Sequence, residues 1–229
     1  MTSTTESRSN ETRRVDSIAL PSLEGRRYGL GYLLGILPER EALQLRVIID
    51  YSRIYSPNHP YHNFVHEFDV ADSAVRRGLE AGLPIGQVYA LARTGITHDI
   101  VNEGKPDDEE RAAEMHGELL EILQFPAIEI DRDKSIIRAT KIPTEPKNEL
   151  EERICDADCD NLGRADFFER GEELRLEKNV QDKAKWYKGT LGFISGFEYY
   201  TAQARMERAY GLRRNIEALK ARLTQELTA

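Results

Sequence analysis

Residues 61–82, YHNFVHEFDVADSAVRRGLEAG, decide the fold class. On a wheel of about 100° per residue, Phe64, Phe68, Ala71, Val75 and Leu79 fall in one sector, the apolar stripe of a core-facing helix. His62, His66 and Asp69 gather on another side of the same wheel, away from that stripe. Upstream, SPNHPY carries Pro57 and Pro60, and a residue before proline is pushed out of the helical region. The helix is therefore expected from near His62 to Gly82.

The same punctuation recurs on both sides. A preceding helix is expected over 38–56, with Leu43, Leu45, Val47, Ile48, Tyr51 and Ile54 as its apolar side. A following one should start at Pro84, a favoured first-turn residue, and run to about Asp99. VNEGKP reads as a loop, and DDEE then loads the first turn of the next helix with negative charge, where the macrodipole favours it. That helix carries Ala112, His116, Leu119, Leu120 and Leu123 on one face. Further helices are expected over 126–141 and 150–162, with shorter elements around 165–178. The stretch 183–227 reads as two long helices broken at Gly211, in which Ile216, Leu219, Leu223 and Leu227 cover the core. No Val/Ile/Thr alternation is long enough for a strand. The expected architecture is all-α, one helical bundle over 25–229, preceded by a disordered tail over 1–24.

Composition narrows the function. The chain has 229 residues, 40 acidic against 32 basic, and a net charge of −8. A general nucleic-acid binder would carry a basic stripe instead. No apolar run reaches the roughly 18 residues of a membrane span. Two cysteines make no disulfide framework, and the N-terminal stretch lacks the apolar core of a secretory signal. A cytoplasmic protein without membrane or nucleic-acid partners is expected.

The chemistry-bearing residues are few. Of five histidines, His59, His62 and His66 fall within eight residues. His62 and His66 have the i,i+4 spacing of a zinc-protease helix, but Asn63 stands where the general-base glutamate belongs, and an amide cannot take a proton from water. His98-Asp99 closes an apolar helix; joint ligation by neighbours 100° apart requires a terminal turn, which Gly104 and Pro106 just downstream favour. In CDADCDNLGR, Asp156, Asp158 and Asp160 alternate, yet Asn161 and Phe167 occupy the positions where a calcium loop needs Gly and Glu. Cys155 and Cys159 read as small packing residues. His116 reads as a core histidine and His59 as a loop residue at a pocket rim.

In order, His66, His98-Asp99 and Ala157-Asp158 resemble the H…HD…D signature of the HD superfamily of metal-dependent phosphohydrolases, which sits on an all-helical scaffold. Tyr61–Val70 is similar to the signature of its cyclic-nucleotide phosphodiesterase branch. The run HDIVNEGKP lacks that branch's further histidine, so the overall look is closer to small bacterial HD phosphohydrolases. The resemblance implies His66, His98, Asp99 and Asp158 as metal ligands, with Asp158 preferred to Asp156 because the family motif reads Ala-Asp at the ligand. It implies His62 as general acid, with His62 and Asp99 the catalytic pair. It also implies one divalent ion (Mn, Mg, Zn or Fe), leaving a second open.

Around that set, Lys141, Arg164 and Asn63 are candidates for binding substrate phosphate, and Asp69 and Asp156 for orienting the ligands from behind. The expected activity is hydrolysis of a phosphoester of a nucleotide or another small phosphorylated metabolite. The alternatives are a helical module that binds a nucleotide or partner without turnover, and a diiron oxygenase of the same superfamily. A homodimer is compatible with the sequence.

Overall fold

The computed structural model describes residues 29–228; the expected tail over 1–24 lies outside them. Ten α-helices and no strand occur among the described residues. They are α1 (Leu30–Ile36), α2 (Glu39–Tyr55), α3 (Phe64–Glu80), α4 (Ile85–Gly95), α5 (Asp108–Ile122), α6 (Ala127–Arg138), α7 (Glu149–Asp158), α8 (Phe167–Glu177), α9 (Lys183–Ile194) and α10 (Ala202–Thr228). The all-α expectation holds, and none of these helices is long and apolar enough to cross a membrane.

Helix α3 is the centre. Its Phe64, Phe68, Ala71 and Val75 pack with α1, α2 and α4, while Val70 and Ala74 pack with Ile136, Ile154 and Cys155 on its other side. The helix is thus apolar on two sides, wider than the single stripe read from its sequence. Its contact with α4 is close because of Gly95, where an added Cβ would stand 2.7 Å from the Ala71 Cα. That approach brings the turn after α4 beside the first turn of α3. Arg93, fully buried on α4, ties the layer to α6 by donating to Asp133 at 2.8 Å and stacking on Tyr89 and Phe125.

Three expectations are corrected. On α2 the buried positions are Leu45, Ile48, Ile49 and Ser52, whereas Leu43 and Ile54 are exposed; the buried stripe is rotated from the one expected. The helix near His62 begins at Phe64, and His62 belongs to the turn before it. Gly211 does not break the C-terminal stretch. The break falls at 195–201, and Gly211 sits inside α10, where an added Cβ would lie 1.9 Å from the Gly163 carbonyl oxygen. Glycine is there for backbone contact between α10 and the 3₁₀ turn Asp160–Gly163. Gly211→Ala should therefore cost about 3 kcal/mol or more through overpacking. Urea unfolding would measure it, and an unchanged midpoint would contradict the contact.

Candidate metal centre

Asn63 starts α3. Its side-chain oxygen accepts from the backbone N–H of Val65 at 2.9 Å and of His66 at 3.3 Å, while its amide nitrogen donates to the His59 carbonyl at 2.9 Å. One amide thus caps the helix and fastens the preceding turn to it, in the manner that makes Asn a preferred cap. His66 follows in the first helical turn, 4% exposed.

His98 and Asp99 occupy the turn that follows α4, so neighbouring side chains reach the same space, as joint ligation requires. The His98 Nδ1–H donates to the Gly95 carbonyl at 2.9 Å, which leaves the Nε2 lone pair free. Asp158 is the last residue of α7. Three separate stretches therefore meet.

The meeting is a closed ring of alternating nitrogen and oxygen. His66 Nε2 lies 3.4 Å from Asp99 Oδ2 and 3.2 Å from Asp158 Oδ1; His98 Nε2 lies 3.1 Å and 3.4 Å from the same two oxygens. All four ligand atoms fall within 4.8 Å of one another. Ligands about 2.1 Å from a divalent ion are separated by roughly 3.0 Å in octahedral and 3.4 Å in tetrahedral geometry. The ring matches that span. Both imidazole Nε2 atoms are buried without a hydrogen-bond partner despite the nearby carboxylates, so the residues fit an ion better than they fit one another.

Electrostatics agree. Burial alone would raise the pKa of Asp99 and Asp158, but the two histidines hold both carboxyls well below their usual range. Burial would lower the histidines, yet the carboxylates raise His66 and raise His98 strongly. A dication replacing two protons leaves the charge of the cage unchanged.

His62 stands beside the cage, its Nε2 3.9 Å from Asp99 Oδ2. Its other ring nitrogen meets Glu177 Oε1 at 2.5 Å, and the Glu177 Oε2 accepts from the backbone N–H of His62 at 2.9 Å and of Tyr61 at 3.2 Å. Against burial, these bonds from His62 lower the Glu177 carboxyl to a pKa of about 2. An ionised carboxylate only accepts, so Nδ1 carries the hydrogen and Nε2 faces the cage. Glu177 was missed in the sequence: it lies 115 residues from His62, with no motif around it.

Other expected site residues are engaged elsewhere. Asn63 spends its amide oxygen on the cap and its amide nitrogen on the preceding turn. Lys141 donates to the Pro106 carbonyl. Arg164 is held by Asp69 and Asp166 in a separate charged depression that also includes Arg76 and Arg208. Asp69, having taken Arg164, orients no histidine. Asp156 points away from the cage and accepts from the backbone N–H of Tyr200 at 2.7 Å and Thr201 at 2.9 Å. Neighbours two apart on a helix diverge by about 200°, which separates its task from that of Asp158. His116 is fully buried, its Nδ1 2.8 Å from the Thr97 hydroxyl. His59 meets the Asn102 carbonyl at 2.9 Å. Among the described residues, no second cluster of His, Cys and acidic side chains forms a ligand set.

Glu67, next to His66, points the other way, towards the hydroxyls of Ser52 and Ser56. Burial outweighs those bonds and raises its pKa from 4.5 to about 7. The folded state therefore holds this proton more tightly than the unfolded chain, so stability is present below pH 4.5 and falls as pH rises towards 7. In chelator-treated protein that loss should reach about 3 kcal/mol at most, and Glu67→Gln should flatten the slope. Unfolding at pH 5 and 8 measures it; a slope unchanged in the variant would contradict the assignment.

No family model matches the chain, and no curated protein matches it. Solved structures do. Bacillus subtilis YpgQ in complex with ADP superposes with a TM-score of 0.59 at 21% identity, over 80% of this chain and 96% of that one. Bacillus subtilis selenomethionine YpgQ gives 0.56 at 19%, over 80% and 95%. LmjPDEB1 in complex with IBMX gives 0.50 at 14%, over 87% and 90%. They support an HD-like helical fold, and at these identities they speak to the fold alone.

Proposed function

We propose that the chain is a metal-dependent phosphohydrolase acting on a phosphoester of a nucleotide or another small phosphorylated metabolite. The observation that carries this reading is the four-atom ring of His66, His98, Asp99 and Asp158, in which two buried imidazole nitrogens lack any other partner. A divalent ion bound there supplies Lewis-acid polarisation of a phosphoryl oxygen and acidifies a water to near-neutral pKa.

The chain's own residues do the rest. His66 and His98 offer neutral nitrogen donors, and Asp99 and Asp158 offset the positive charge. His62 holds a proton on Nε2 towards the reaction space and delivers it to the departing alkoxide, a contribution of typically 10²–10⁴-fold. Glu177 fixes the ring by accepting from its Nδ1–H, which turns Nε2 to the cage. The two YpgQ structures and LmjPDEB1 lend the reading their common scaffold, and YpgQ was crystallised with a nucleotide, ADP; that ligand belongs to YpgQ.

The test is phosphate release from nucleotides and simple phosphate esters by chelated protein, with Mn²⁺, Mg²⁺, Zn²⁺ or Fe²⁺ restored singly. Release dependent on an added ion is expected. No release with any ion, or elemental analysis showing none retained, would overturn the reading.

A further inference from the structure

His62 and Asp158 share a largely apolar cavity of about 360 Å³ with Phe167, Leu174, Trp186 and Gly189. If His62 protonates the departing oxygen, the alcohol bearing that oxygen lies on the His62 side, inside this cavity. A second cavity of about 450 Å³ adjoins it, lined by Pro143, Thr144, Gly196, Phe197, Glu198 and Tyr200. Ile142, Cys159 and Phe193 line both and form the neck between them. Ile142 is 57% and Phe193 43% exposed, so two large apolar side chains stand in solvent where the rooms meet.

The second room has a definite chemistry. Its only charged side chain is the acid Glu198, which repels phosphate. The Tyr200 hydroxyl and the Thr144 hydroxyl are 2.7 Å apart, and Tyr200 also donates to the Thr144 carbonyl at 2.9 Å. These two hydroxyls are thereby spent on each other. The remaining wall is Ile142, Pro143, Cys159, Phe193, Gly196 and Phe197.

We propose that the leaving alcohol of the substrate is elongated, uncharged and apolar, spanning both rooms through the Ile142–Phe193 neck with its ester oxygen at His62. This rests on the phosphohydrolase reading for the position of that oxygen, while occupancy of the two rooms can be measured without turnover.

Trp186 is the chain's single tryptophan, so its fluorescence reports binding in the first room. Cyclohexanol and 4-cyclohexylcyclohexanol are suitable probes, since neither absorbs where tryptophan does. At roughly 0.8 kcal/mol per buried methylene, the second ring should tighten binding at least about tenfold in wild-type protein. Gly196 lines only the second room and Gly189 only the first, and an added Cβ meets open space at both. Gly196→Leu should bring the two alcohols within about threefold of each other while leaving cyclohexanol binding unchanged. Gly189→Leu should weaken both.

An advantage of the long alcohol that survives Gly196→Leu, no advantage in wild type, or unchanged binding in Gly189→Leu would each overturn the proposal. Failure to release phosphate from any ester with any divalent ion would instead sink the phosphohydrolase reading and leave these binding results standing.

Discussion

Asp158→Asn is expected to empty the cage and lower phosphate release by about a thousandfold or more, because it removes a ligand charge and leaves only a weaker amide oxygen to close the ring. Asparagine keeps the volume of aspartate, so the end of α7 retains its packing and the chain should remain folded. Ion content by elemental analysis and phosphate release at saturating ion separate the two effects. With Asp158 neutral, His66 Nε2 and His98 Nε2 lose the carboxylate 3.2 and 3.4 Å away. Activity and ion retention that persist in the variant would contradict the ligand set. In wild type, ion binding should release protons, because imidazoles whose pKa values are raised by Asp99 and Asp158 must become neutral to ligate. Affinity should therefore weaken as pH falls, starting above the ordinary imidazole range because both pKa values are raised, and calorimetry in buffers of different ionisation enthalpy would register the protons.

His62→Asn is expected to lower kcat by about 10²–10⁴-fold while leaving ion content unchanged, since His62 touches the cage only at 3.9 Å. The loss should depend on the leaving group. An alkyl phosphate needs a proton on its departing oxygen; 4-nitrophenyl phosphate departs as a stable anion and should lose far less. Glu177→Gln should give a smaller version of the same pattern. The amide can still accept from Nδ1–H, but a neutral acceptor holds the ring less firmly than the carboxylate that also accepts from the backbone N–H of His62 and Tyr61. Equal losses for alkyl and nitrophenyl esters would remove His62 from the role of acid.

The parts of this site legible in the sequence were those written locally. His98-Asp99 at a helix end, with Gly104 and Pro106 after it, announced the turn that lets neighbours converge. His66 and Asp158 were legible through motif order and the Ala-Asp dipeptide, and the structure gathers both with His98 and Asp99. What escaped depends on tertiary contact. Glu177 comes from α8 and has no local signature. Gly211 looked like a break because glycine is a poor helix residue, whereas contact with Gly163 is what requires it. Asp69 and Arg164 were assigned separate tasks and instead satisfy each other. The α2 stripe misled because Leu43 and Ile54 share helical spacing with residues that are buried, and spacing alone does not say which side meets α3.

Helix α7 works on two sides at once, with Asp156 fastening the entry to α10 and Asp158 closing the cage. An insertion or deletion of one residue between Asn148 and Asp156 would turn the helix end by about 100° and spoil both sides together. Length variation in relatives or in engineered libraries should therefore collect in segments such as 101–106 and 142–147, and stay out of α7.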